Sequence, residues 1–416
     1  MSLKKNQIFE TTIENLSSDG SGVAHVEGQA VFVPGAAPGD VIRCRIVKAL
    51  KSYAFGRIDA ILAPGPGRVA PDCAVCTPCG GCGLRHLSYA TECEAKTGFV
   101  RDAFARLGGF DVSSFEFSPV LALTDHTAHY RNKVQLPVGL DADGHVVTGF
   151  YAGRTHRIVP CPDCRLQPGV LNEIGNALCA FFAEKGIQPY SEETGRGLVR
   201  HIFLRRGAHS GQIMVCLVCT RAKLPYAEEL CTRLKAQFAE ITTILLNVNA
   251  KNTNVILGTE THTLYGQGYI EDTLCGVPVQ LGPLSFYQVN TLAAEQLYGI
   301  AAQYAQLTPD DLLLDLYCGM GTIGLSMAAH CRELIGVEIV PEAIESAKAN
   351  AARMGADVAA KSRFFCADAG QAATRLAAEG LHPDIVMLDP PRKGCDEATL
   401  SAVVRMSPRR VVYVSC

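Results

Sequence analysis

Acidic and thiol side chains follow successive short apolar runs in the last quarter of this 416-residue chain. Four of the runs end at or just before Asp315, Glu338, Asp368 and Asp389, and a fifth runs into Cys416. Runs of this length with helical stretches between them predict a parallel sheet. Because parallel strands end at one edge of an open α/β sheet, we expect these groups to converge on a ligand crevice.

A glycine-rich turn follows the first of these carboxylates, in the stretch LLLDLYCGMGTIG at residues 312–324. Strand, tight turn and helix is the arrangement by which a doubly wound sheet binds a nucleotide-like ligand. The turn lacks the GxxxxGK[ST] signature of a phosphate cradle, which favours a nucleoside without phosphates. Glu338 follows at the distance expected of a ribose-binding carboxylate. The pattern favours S-adenosylmethionine, with an NAD-binding fold as the alternative.

The end of the chain places a carboxylate and a thiol on neighbouring strands. Asp389 precedes Pro390-Pro391 at a rigid strand exit, where a carboxylate can read the edge of a planar base. Carbon-5 of a pyrimidine is a poor nucleophile until a thiolate adds at carbon-6, and Cys416 fits that role. A buried structural thiol is the alternative for such a residue.

A second group of thiols lies in the segment DCAVCTPCGGCGLRH at residues 72–86. Cys73, Cys76, Cys79 and Cys82 fall close together, and Cys161-x-x-Cys164 follows far along the chain. Thiolates at this density are costly unless a metal neutralises them. Zinc and an iron–sulfur cluster both take four cysteines, and the spacing does not choose between them.

The first 65 residues predict a small OB-like barrel of five short strands between Gly and Asp turns. Its cations surround two aromatic residues, which suits single-stranded nucleic acid, although a solvated barrel face is the alternative. The residues concerned are Arg43, Arg45, Lys48, Lys51, Arg57, Tyr53 and Phe55. The segment Pro64-Gly65-Pro66-Gly67 predicts a linker.

Composition limits the remaining possibilities. The chain carries 18 cysteines without a secretory signal, which argues for reduced thiols rather than a disulfide framework. The formal net charge of −3 predicts no global attraction to nucleic acid, so a polyanion site must be a local patch. Residues 117–280 predict an α+β domain. Its basic segments, at residues 130–133 and 200–206, are typical of a solvated strand face.

These motifs together resemble the bacterial RNA (uracil-5-)-methyltransferases, specifically the iron–sulfur type that acts on 23S ribosomal RNA. The resemblance covers nearly the whole chain. It implies a TRAM barrel at residues 1–65, a central α+β iron–sulfur domain at 66–284 and a Rossmann-like methyltransferase domain at 285–416. The family pattern C-x5-C-x2-C with a distant fourth cysteine implies a [4Fe–4S] cluster on Cys73, Cys79, Cys82 and Cys164, with Cys76 and Cys161 as bystanders.

The resemblance also implies the residues of the reaction. It implies S-adenosylmethionine contacts from Gln288 of FYQVN, Tyr317, Thr322, Glu338, Asp368 and Asp389, and Cys416 of VYVSC as the nucleophile. Family members continue with Asn-Pro, two further strands and a glutamate general base. We therefore expect this sequence to be a fragment whose methyltransferase domain lacks that base.

The favoured function is methylation of carbon-5 of a uridine in 23S ribosomal RNA, by a cytoplasmic monomer with no membrane partner. A tRNA substrate is the first alternative, because some archaeal tRNA-modifying relatives carry both the cysteines and the barrel. A non-catalytic iron–sulfur RNA-binding protein is the second. Radical chemistry is disfavoured because no CxxxCxxC triad occurs.

Overall fold

A computed structural model describes residues 3–415 of the chain. The strands are β1 (Ile8–Thr12), β2 (Asn15–Leu16), β3 (Ser21–Val26), β4 (Gln29–Pro34), β5 (Val41–Ala49), β6 (Tyr53–Ala63), β7 (Lys133–Leu140), β8 (Val146–Tyr151), β9 (Ile158–Pro160), β10 (Val199–Arg206), β11 (Ile213–Cys219), β12 (Ile241–Val248), β13 (Glu260–Tyr265), β14 (Ile270–Leu274), β15 (Val277–Leu281), β16 (Leu312–Leu316), β17 (Glu333–Glu338), β18 (Ser362–Cys366), β19 (Ile385–Leu388) and β20 (Arg410–Tyr413).

The α-helices are α1 (Tyr89–Asp102), α2 (Gly169–Glu184), α3 (Ala227–Gln237), α4 (Thr291–Ala305), α5 (Thr322–Met327), α6 (Pro341–Met354), α7 (Ala356–Lys361), α8 (Ala369–Ala378) and α9 (Glu397–Met406). No helix in the described part of the chain is both long and apolar enough to cross a membrane. The chain forms two compact units. The first contains the residues up to His129 together with Thr148–Arg165, and the second contains Tyr130–Val147 and the residues from Leu166 onward.

The N-terminal barrel has six strands rather than the predicted five, in the order β1-β5-β6-β4-β3-β2. The two edge strands, β1 and β2, follow each other directly in the chain. Strand β1 pairs with β5, and β2 pairs with β3. The amide of Ile13 donates to the Asp40 carbonyl, and the amide of Glu14 donates to the Val23 carbonyl. The segment therefore changes partners at Ile13, which is how the sheet closes around its core.

A buried carboxylate holds the segment after the barrel in place. Asp40 is fully buried and accepts hydrogen bonds from the amides of Ala37 (2.7 Å) and Gly65 (2.8 Å). It also pairs with the Arg68 guanidinium at 2.6 Å. Burial opposes the charge, but the hydrogen bonds from Arg68, Gly65 and Ala37 keep the pKa of Asp40 below its ordinary value. The predicted Pro-Gly linker is thus tied to the barrel at Gly65 and Arg68.

The rest of the first unit carries the cysteine-rich loop. This loop lies between Arg68 and Leu87, which form an isolated β-bridge, and α1 follows with Ser88 as its N-cap. Strands β8 and β9 pair antiparallel, and the amide of Gly80 donates to the Tyr151 carbonyl at the end of β8. A side chain at Gly80 would meet the backbone of Tyr151 and Gly153 at about 3 Å. The loop therefore needs glycine at this position in order to approach the hairpin.

The second unit contains two larger sheets that share a core, together with the antiparallel pair β14–β15. Strands β7, β10, β11, β12 and β13 form the first sheet, in which β11 and β12 run parallel. The second is a parallel sheet in the order β18-β17-β16-β19-β20. One apolar cluster combines Phe203 and Met214 of the first sheet with Tyr298 of α4 and Leu313 of the second. Alternate residues of β16, including Leu314, pack with α8 and α9 on the opposite face.

A buried acid supports the glycine turn that follows β16. Asp315 accepts a hydrogen bond from the Gly324 amide at 3.0 Å, and its other oxygen has no partner among the described residues. Burial raises the pKa of Asp315 to about 8, and repulsion from Asp389 and Glu338 adds to this effect. A Cβ atom on Gly324 would lie 2.8 Å from the Asp315 carboxyl, so the contact requires glycine.

We expect Asp40→Ala to lower the free energy of unfolding by about 3–5 kcal/mol, because it leaves the Arg68 guanidinium and two amides unpaired in a buried position. Urea unfolding followed by circular dichroism measures the change, since the chain has no tryptophan. Glu10→Ala, which removes an exposed pair with Arg43, is the control and should change little. Equal effects of the two substitutions would contradict the assigned role of Asp40.

We expect Asp315→Asn to change how stability depends on pH. A pKa raised in the folded state gives stability that is complete below the unfolded pKa and is lost as the pH rises through about 8. An amide does not titrate, so the variant should gain on the wild type between pH 5 and 8, by at most about 1.4 kcal/mol per pH unit. Urea midpoints across this range test the prediction. Asp310→Asn, at an exposed position, is the control. If the stability of Asp315→Asn and of the wild type changed with pH in parallel, the prediction would be wrong.

Candidate active site and cysteine centre

The glycine turn lies at the carboxyl edge of the parallel sheet. Tyr317, Gly319 and Gly321 all have positive φ angles (67°, 55° and 80°), so the chain reverses tightly between β16 and α5. A side chain at Gly319 would meet nothing within 4 Å, which leaves open space above the turn. The sheet order changes direction between β16 and β19, and such switch points are where open α/β sheets bind ligands.

Glu338 closes one side of this space. Its carboxylate accepts hydrogen bonds from the Gly319 amide (3.1 Å) and the Val340 amide (3.0 Å), one on each oxygen. A carboxylate oxygen can accept more than one hydrogen bond, so both retain capacity for a further donor. The open turn and this oriented carboxylate fit a nucleoside whose ribose presents two hydroxyls.

Asp389 lies on the other side of the switch point, directly after β19. Burial raises the pKa of its carboxyl to about 6. Its charge also contributes to the raised pKa values of Asp315 and Tyr298, so the three groups are neighbours. The fold therefore holds two carboxyl groups and a phenol close together beside the glycine turn.

Thr322 and Tyr298 connect the turn to α4. The Thr322 hydroxyl lies 3.4 Å from the Tyr298 hydroxyl, and both residues are buried. Burial raises the pKa of Tyr298. Tyr298 is not among the predicted site residues, because a tyrosine within an apolar helix face resembles an ordinary core residue.

Tyr317 and Asp368 are directed towards α8 and α9. The Tyr317 hydroxyl lies 3.3 Å from the Thr399 hydroxyl, and burial raises the pKa of the phenol to about 12. Asp368 is the N-cap of α8 and accepts a hydrogen bond from the Gln371 amide at 3.1 Å. Capping uses one oxygen of Asp368, and the other stays available for a ligand. The predicted cofactor residues thus form one group at the turn and another at the starts of these helices.

The segment that contains Gln288 is held by a residue far away in sequence. The Asn132 side-chain amide donates to the Gln288 carbonyl (2.8 Å), and the Asn132 backbone amide donates to the Val289 carbonyl (2.8 Å). Asn290 caps α4 by accepting a hydrogen bond from the Ala293 amide. Phe286, just before this anchored stretch, has 73% of its surface exposed. An exposed aromatic ring therefore lies on a fixed backbone beside Gln288.

The expectation that the basic segment at residues 200–206 forms a solvated face is wrong for Arg200 and Arg205. Arg200 is only 5% exposed and Arg205 only 1% exposed. Arg200 donates to the carbonyls of Asn249 (2.9 Å) and Lys251 (2.6 Å). Strand β10 is buried on both faces, so its arginines bond to backbone carbonyls instead of water.

The cysteines of the first unit come together as the motif predicts. Cys79 and Cys82 each lie close enough to Cys164 for its charge to affect their pKa values, and Cys82 is raised to about 11, mainly by burial. Cys161 shares a hydrogen bond with Cys164 that raises its pKa. Cys73 and Cys76 are also electrostatic neighbours of this set. The fold thus brings a distant pair of thiols to the cysteine-rich loop.

The donor set of this group fits more than one metal centre. Four cysteine sulfurs can hold a single zinc ion or an iron–sulfur cluster. The Gly81 amide donates to the Cys79 sulfur at 3.4 Å. An amide donor to a thiolate ligand is compatible with either centre, so the described contacts fit both.

The barrel surface carries the predicted aromatic cluster, but its cations are partly neutralised. Phe32, Tyr53 and Phe55 pack with their ring centroids 5.6–6.0 Å apart. Asp59 pairs with Arg45 at 2.6 Å and with Arg57 at 3.3 Å. Exposed lysines at positions 48 and 51 have no ion-pair partner in the described part of the chain. The basic character of this face therefore depends mainly on the lysines.

Cys416, the predicted nucleophile, lies outside the described residues. The strand that leads to it, β20, pairs in parallel with β19, and Leu388 lies opposite Tyr413 in the register. Asp389 directly follows Leu388, and the Val414 amide donates to the Leu388 carbonyl. The last described residues therefore run beside the strand that ends at Asp389.

Comparisons with known proteins agree with this architecture. Residues 3–58 match the TRAM domain, and residues 210–416 match the family described as tRNA (Uracil-5-)-methyltransferase. A solved structure of the Pyrococcus abyssi tRNA (uracil-54, C5)-methyltransferase with S-adenosyl-L-homocysteine has a similar fold, with a TM-score of 0.75 and 24% identity. The match covers 98% of this chain and 90% of that one.

Curated bacterial relatives are similar over the whole chain. An uncharacterized RNA methyltransferase of Halalkalibacterium halodurans is 40% identical, and the match covers 100% of this chain and 89% of the relative. One from Listeria monocytogenes is 40% identical with the same coverage, and one from Clostridium tetani is 39% identical over 100% of this chain and 88% of the relative. The predicted TRAM domain and Rossmann-like methyltransferase domain are confirmed, and the iron–sulfur centre stays a prediction. The chain belongs to the RNA (uracil-5-)-methyltransferase family, whose members use S-adenosylmethionine as methyl donor.

Proposed function

We propose that this enzyme methylates carbon-5 of a uridine in 23S ribosomal RNA through a transient bond between Cys416 and the base. The single observation that carries the proposal is the position of Asp389. Its half-buried carboxyl lies at the sheet switch point, beside the open glycine turn and next to the strand that leads to Cys416. A methyl donor and a planar base can both reach this point from solvent.

S-adenosylmethionine supplies an activated methyl group when it is bound. We assign its ribose to Glu338, which the Gly319 and Val340 amides already orient. Asp368 keeps one oxygen for the adenosine, and Tyr317 and Thr322 shape the turn from opposite sides. Gln288 reaches the ligand from the anchored segment before α4.

Asp389 is suited to hold the uracil. With a pKa of about 6 the carboxyl is mostly ionised at neutral pH, and an ionised carboxylate accepts the hydrogen bond that the N3–H group of uracil donates. Cytosine has no proton at N3, so the contact would also discriminate between the two pyrimidines. A base can reach Asp389 only when it leaves the RNA stack. The exposed ring of Phe286 offers a surface on which such a base can stack.

The proposed role of Cys416 follows from the chemistry of uracil. Its thiolate adds to carbon-6 and forms a sulfur–carbon bond, and the electron pair moves to make carbon-5 nucleophilic. Carbon-5 takes the methyl group as the sulfonium–methyl bond breaks, and S-adenosylhomocysteine is the leaving group. A base then removes the carbon-5 proton, and the returning electron pair expels the thiolate. The product is 5-methyluridine, and the thiolate is regenerated.

We propose that Cys73, Cys79, Cys82 and Cys164 hold a [4Fe–4S] cluster, with Cys76 and Cys161 outside the ligand set. Such a cluster neutralises the thiolates and cross-links the loop to the distant Cys164 when it is bound. The proximity of Cys164 to Cys79 and Cys82 and the amide donor at Cys79 support this assignment. Its role in this proposal is structural, since it shapes the RNA-binding surface of the first unit.

The second candidate substrate is tRNA. The family description that matches residues 210–416 names a tRNA (Uracil-5-)-methyltransferase, and it favours this alternative. The resemblance to the iron–sulfur type that acts on 23S ribosomal RNA favours ribosomal RNA. Both substrates use the same carbon-5 chemistry, so one experiment with two RNAs separates them.

We expect RNA that contains 5-fluorouridine to trap the enzyme covalently in the presence of S-adenosylmethionine. Fluorine at carbon-5 cannot be removed as a proton, so the adduct persists and needs no general base. A 23S ribosomal RNA transcript should give a slowly migrating band on a denaturing gel, and Cys416→Ala should abolish it. Asp389→Asn should slow its formation by about 100-fold or more, as loss of a preorganised polar contact does.

Asp384→Asn is the matched control for the trapping experiment. Asp384 precedes the same strand β19 at its other end and accepts a hydrogen bond from the Leu312 amide. Its amide variant should trap RNA at the wild-type rate. A band with tRNA but not with ribosomal RNA would move the substrate to tRNA. No band with either RNA would support a non-catalytic RNA-binding protein instead.

We expect Cys164→Ser to abolish iron binding and Cys161→Ser to preserve it. The two residues are three positions apart and equally buried. A difference in iron content between the two variants would therefore reflect metal ligation and not the loss of a buried thiol. Iron, acid-labile sulfide and zinc are measured in protein purified without oxygen. Zinc in place of iron, or loss of iron only in Cys161→Ser, would contradict the proposed ligand set.

A further inference from the structure

Arg205 has an unusual environment for a charged side chain. It is 1% exposed, and no carboxylate lies within ion-pair distance of it in the described part of the chain. Its cross-strand neighbour is Lys133, a second cation. Desolvation lowers the pKa of Arg205 to about 10. Burial of an unpaired guanidinium is costly, and an apolar side chain of similar volume often serves stability as well or better.

Both hydrogen-bond acceptors of Arg205 lie in the loop before Gln288. One Nη atom donates to the Gly282 carbonyl at 2.6 Å, and the other donates to the Ser285 carbonyl at 2.7 Å. The Ser285 hydroxyl in turn accepts from the Gly282 amide at 3.0 Å. The guanidinium therefore spans both ends of a four-residue turn and fixes its width.

The same loop is fastened again directly after this turn. The buried Tyr287 hydroxyl donates to Asp272 at 3.1 Å. Asp272 also accepts from the amides of Ala208, His209 and Ser210, which immediately follow β10. Two fixed points thus lie on either side of Phe286, and its ring is left in solvent. Gln288 follows two residues later.

We propose that Arg205 is a positioning residue that sets the 282–285 turn and thereby the placement of Phe286 and Gln288 in the crevice. The inference rests on the proposed function, because it assigns those two residues to the RNA base and the methyl donor. Arg205 itself touches neither ligand. A fork of two donors at a fixed angle suits this role better than the single ammonium of lysine.

The chain provides a matched control on the same strand. Arg200 is also buried, donates to two carbonyls and stacks over an aromatic ring, that of Tyr190 at 4.9 Å. Arg205 stacks in the same way over Phe203 at 5.4 Å. The carbonyls bound by Arg200 belong to residues 249 and 251, which are not predicted site residues. The two arginines therefore differ mainly in which loop they hold.

The test compares Arg205→Met, Arg205→Lys and Arg200→Met. Calorimetry gives the dissociation constant of S-adenosylhomocysteine, trapping with 5-fluorouridine RNA gives the rate, and thermal melting gives stability. We expect the two methionine variants to shift the melting temperature by similar amounts, because each removes one buried guanidinium that donates to two carbonyls. Only Arg205→Met should weaken S-adenosylhomocysteine binding and slow trapping, each by tenfold or more, and Arg205→Lys should recover part of both. Amide exchange at residues 286–289 should rise in Arg205→Met alone.

A further variant guards against a fold that fails without Arg205. Ser285→Ala removes the acceptor for the Gly282 amide and leaves the arginine intact, and it should reproduce the loss in milder form. If folded Arg205→Met or Ser285→Ala binds S-adenosylhomocysteine and traps RNA like the wild type, this inference is wrong and the proposed function stands. Equal losses of binding and trapping in Arg200→Met would have the same meaning. A wild-type chain that neither binds S-adenosylhomocysteine nor forms the adduct would overturn the proposed function and this inference with it.

Discussion

The crowding of carboxyl groups around one glycine turn is the constraint on which the site depends. Asp315, Glu338 and Asp389 lie at the ends of three adjacent strands. Burial disfavours the charges of Asp315 and Asp389, and repulsion from the other two carboxyl groups adds to this effect at Asp315. Backbone amides provide the compensation, since the Gly324 amide bonds to Asp315 and the Gly319 amide bonds to Glu338. The glycines are therefore required both for the shape of the turn and for the approach of these donors.

The second requirement is a rigid frame for the segment before α4. Asn132, Asp272 and Arg205 reach this segment from three different strands or strand ends, and each ends in hydrogen bonds to the backbone or to a buried phenol. A loop fixed in this way can expose an aromatic ring without collapsing around it. The cysteine-rich loop of the first unit shows the same principle, because its Gly80 amide donates to the carbonyl of Tyr151, a residue far along the chain.

Local patterns were sufficient to predict the parallel sheet, the acidic residues at the ends of its strands and the glycine turn. Each strand of that sheet is a short apolar run, and the residue that follows it falls at the same edge whatever the details of packing. The cap at Asn290 and the cysteine motif are also local, since a few neighbouring residues specify them. The barrel was harder to predict, because its first segment changes partners at Ile13, and that exchange depends on strands β3 and β5.

The sequence by itself determined the family, the strand ends and the types of reactive group. The tertiary structure decided which polar residues are buried and what they hold. The sequence of β10 contains several charged residues and does not show that both faces of the strand are buried. Arg200 and Arg205 therefore appear solvent-exposed from the sequence, whereas in the structure they donate to backbone carbonyls. Asn132 acts on a segment 156 residues away, and Tyr298 lies beside Asp389 only because α4 packs on the sheet. Such contacts depend on long-range packing, and no short stretch of sequence encodes them.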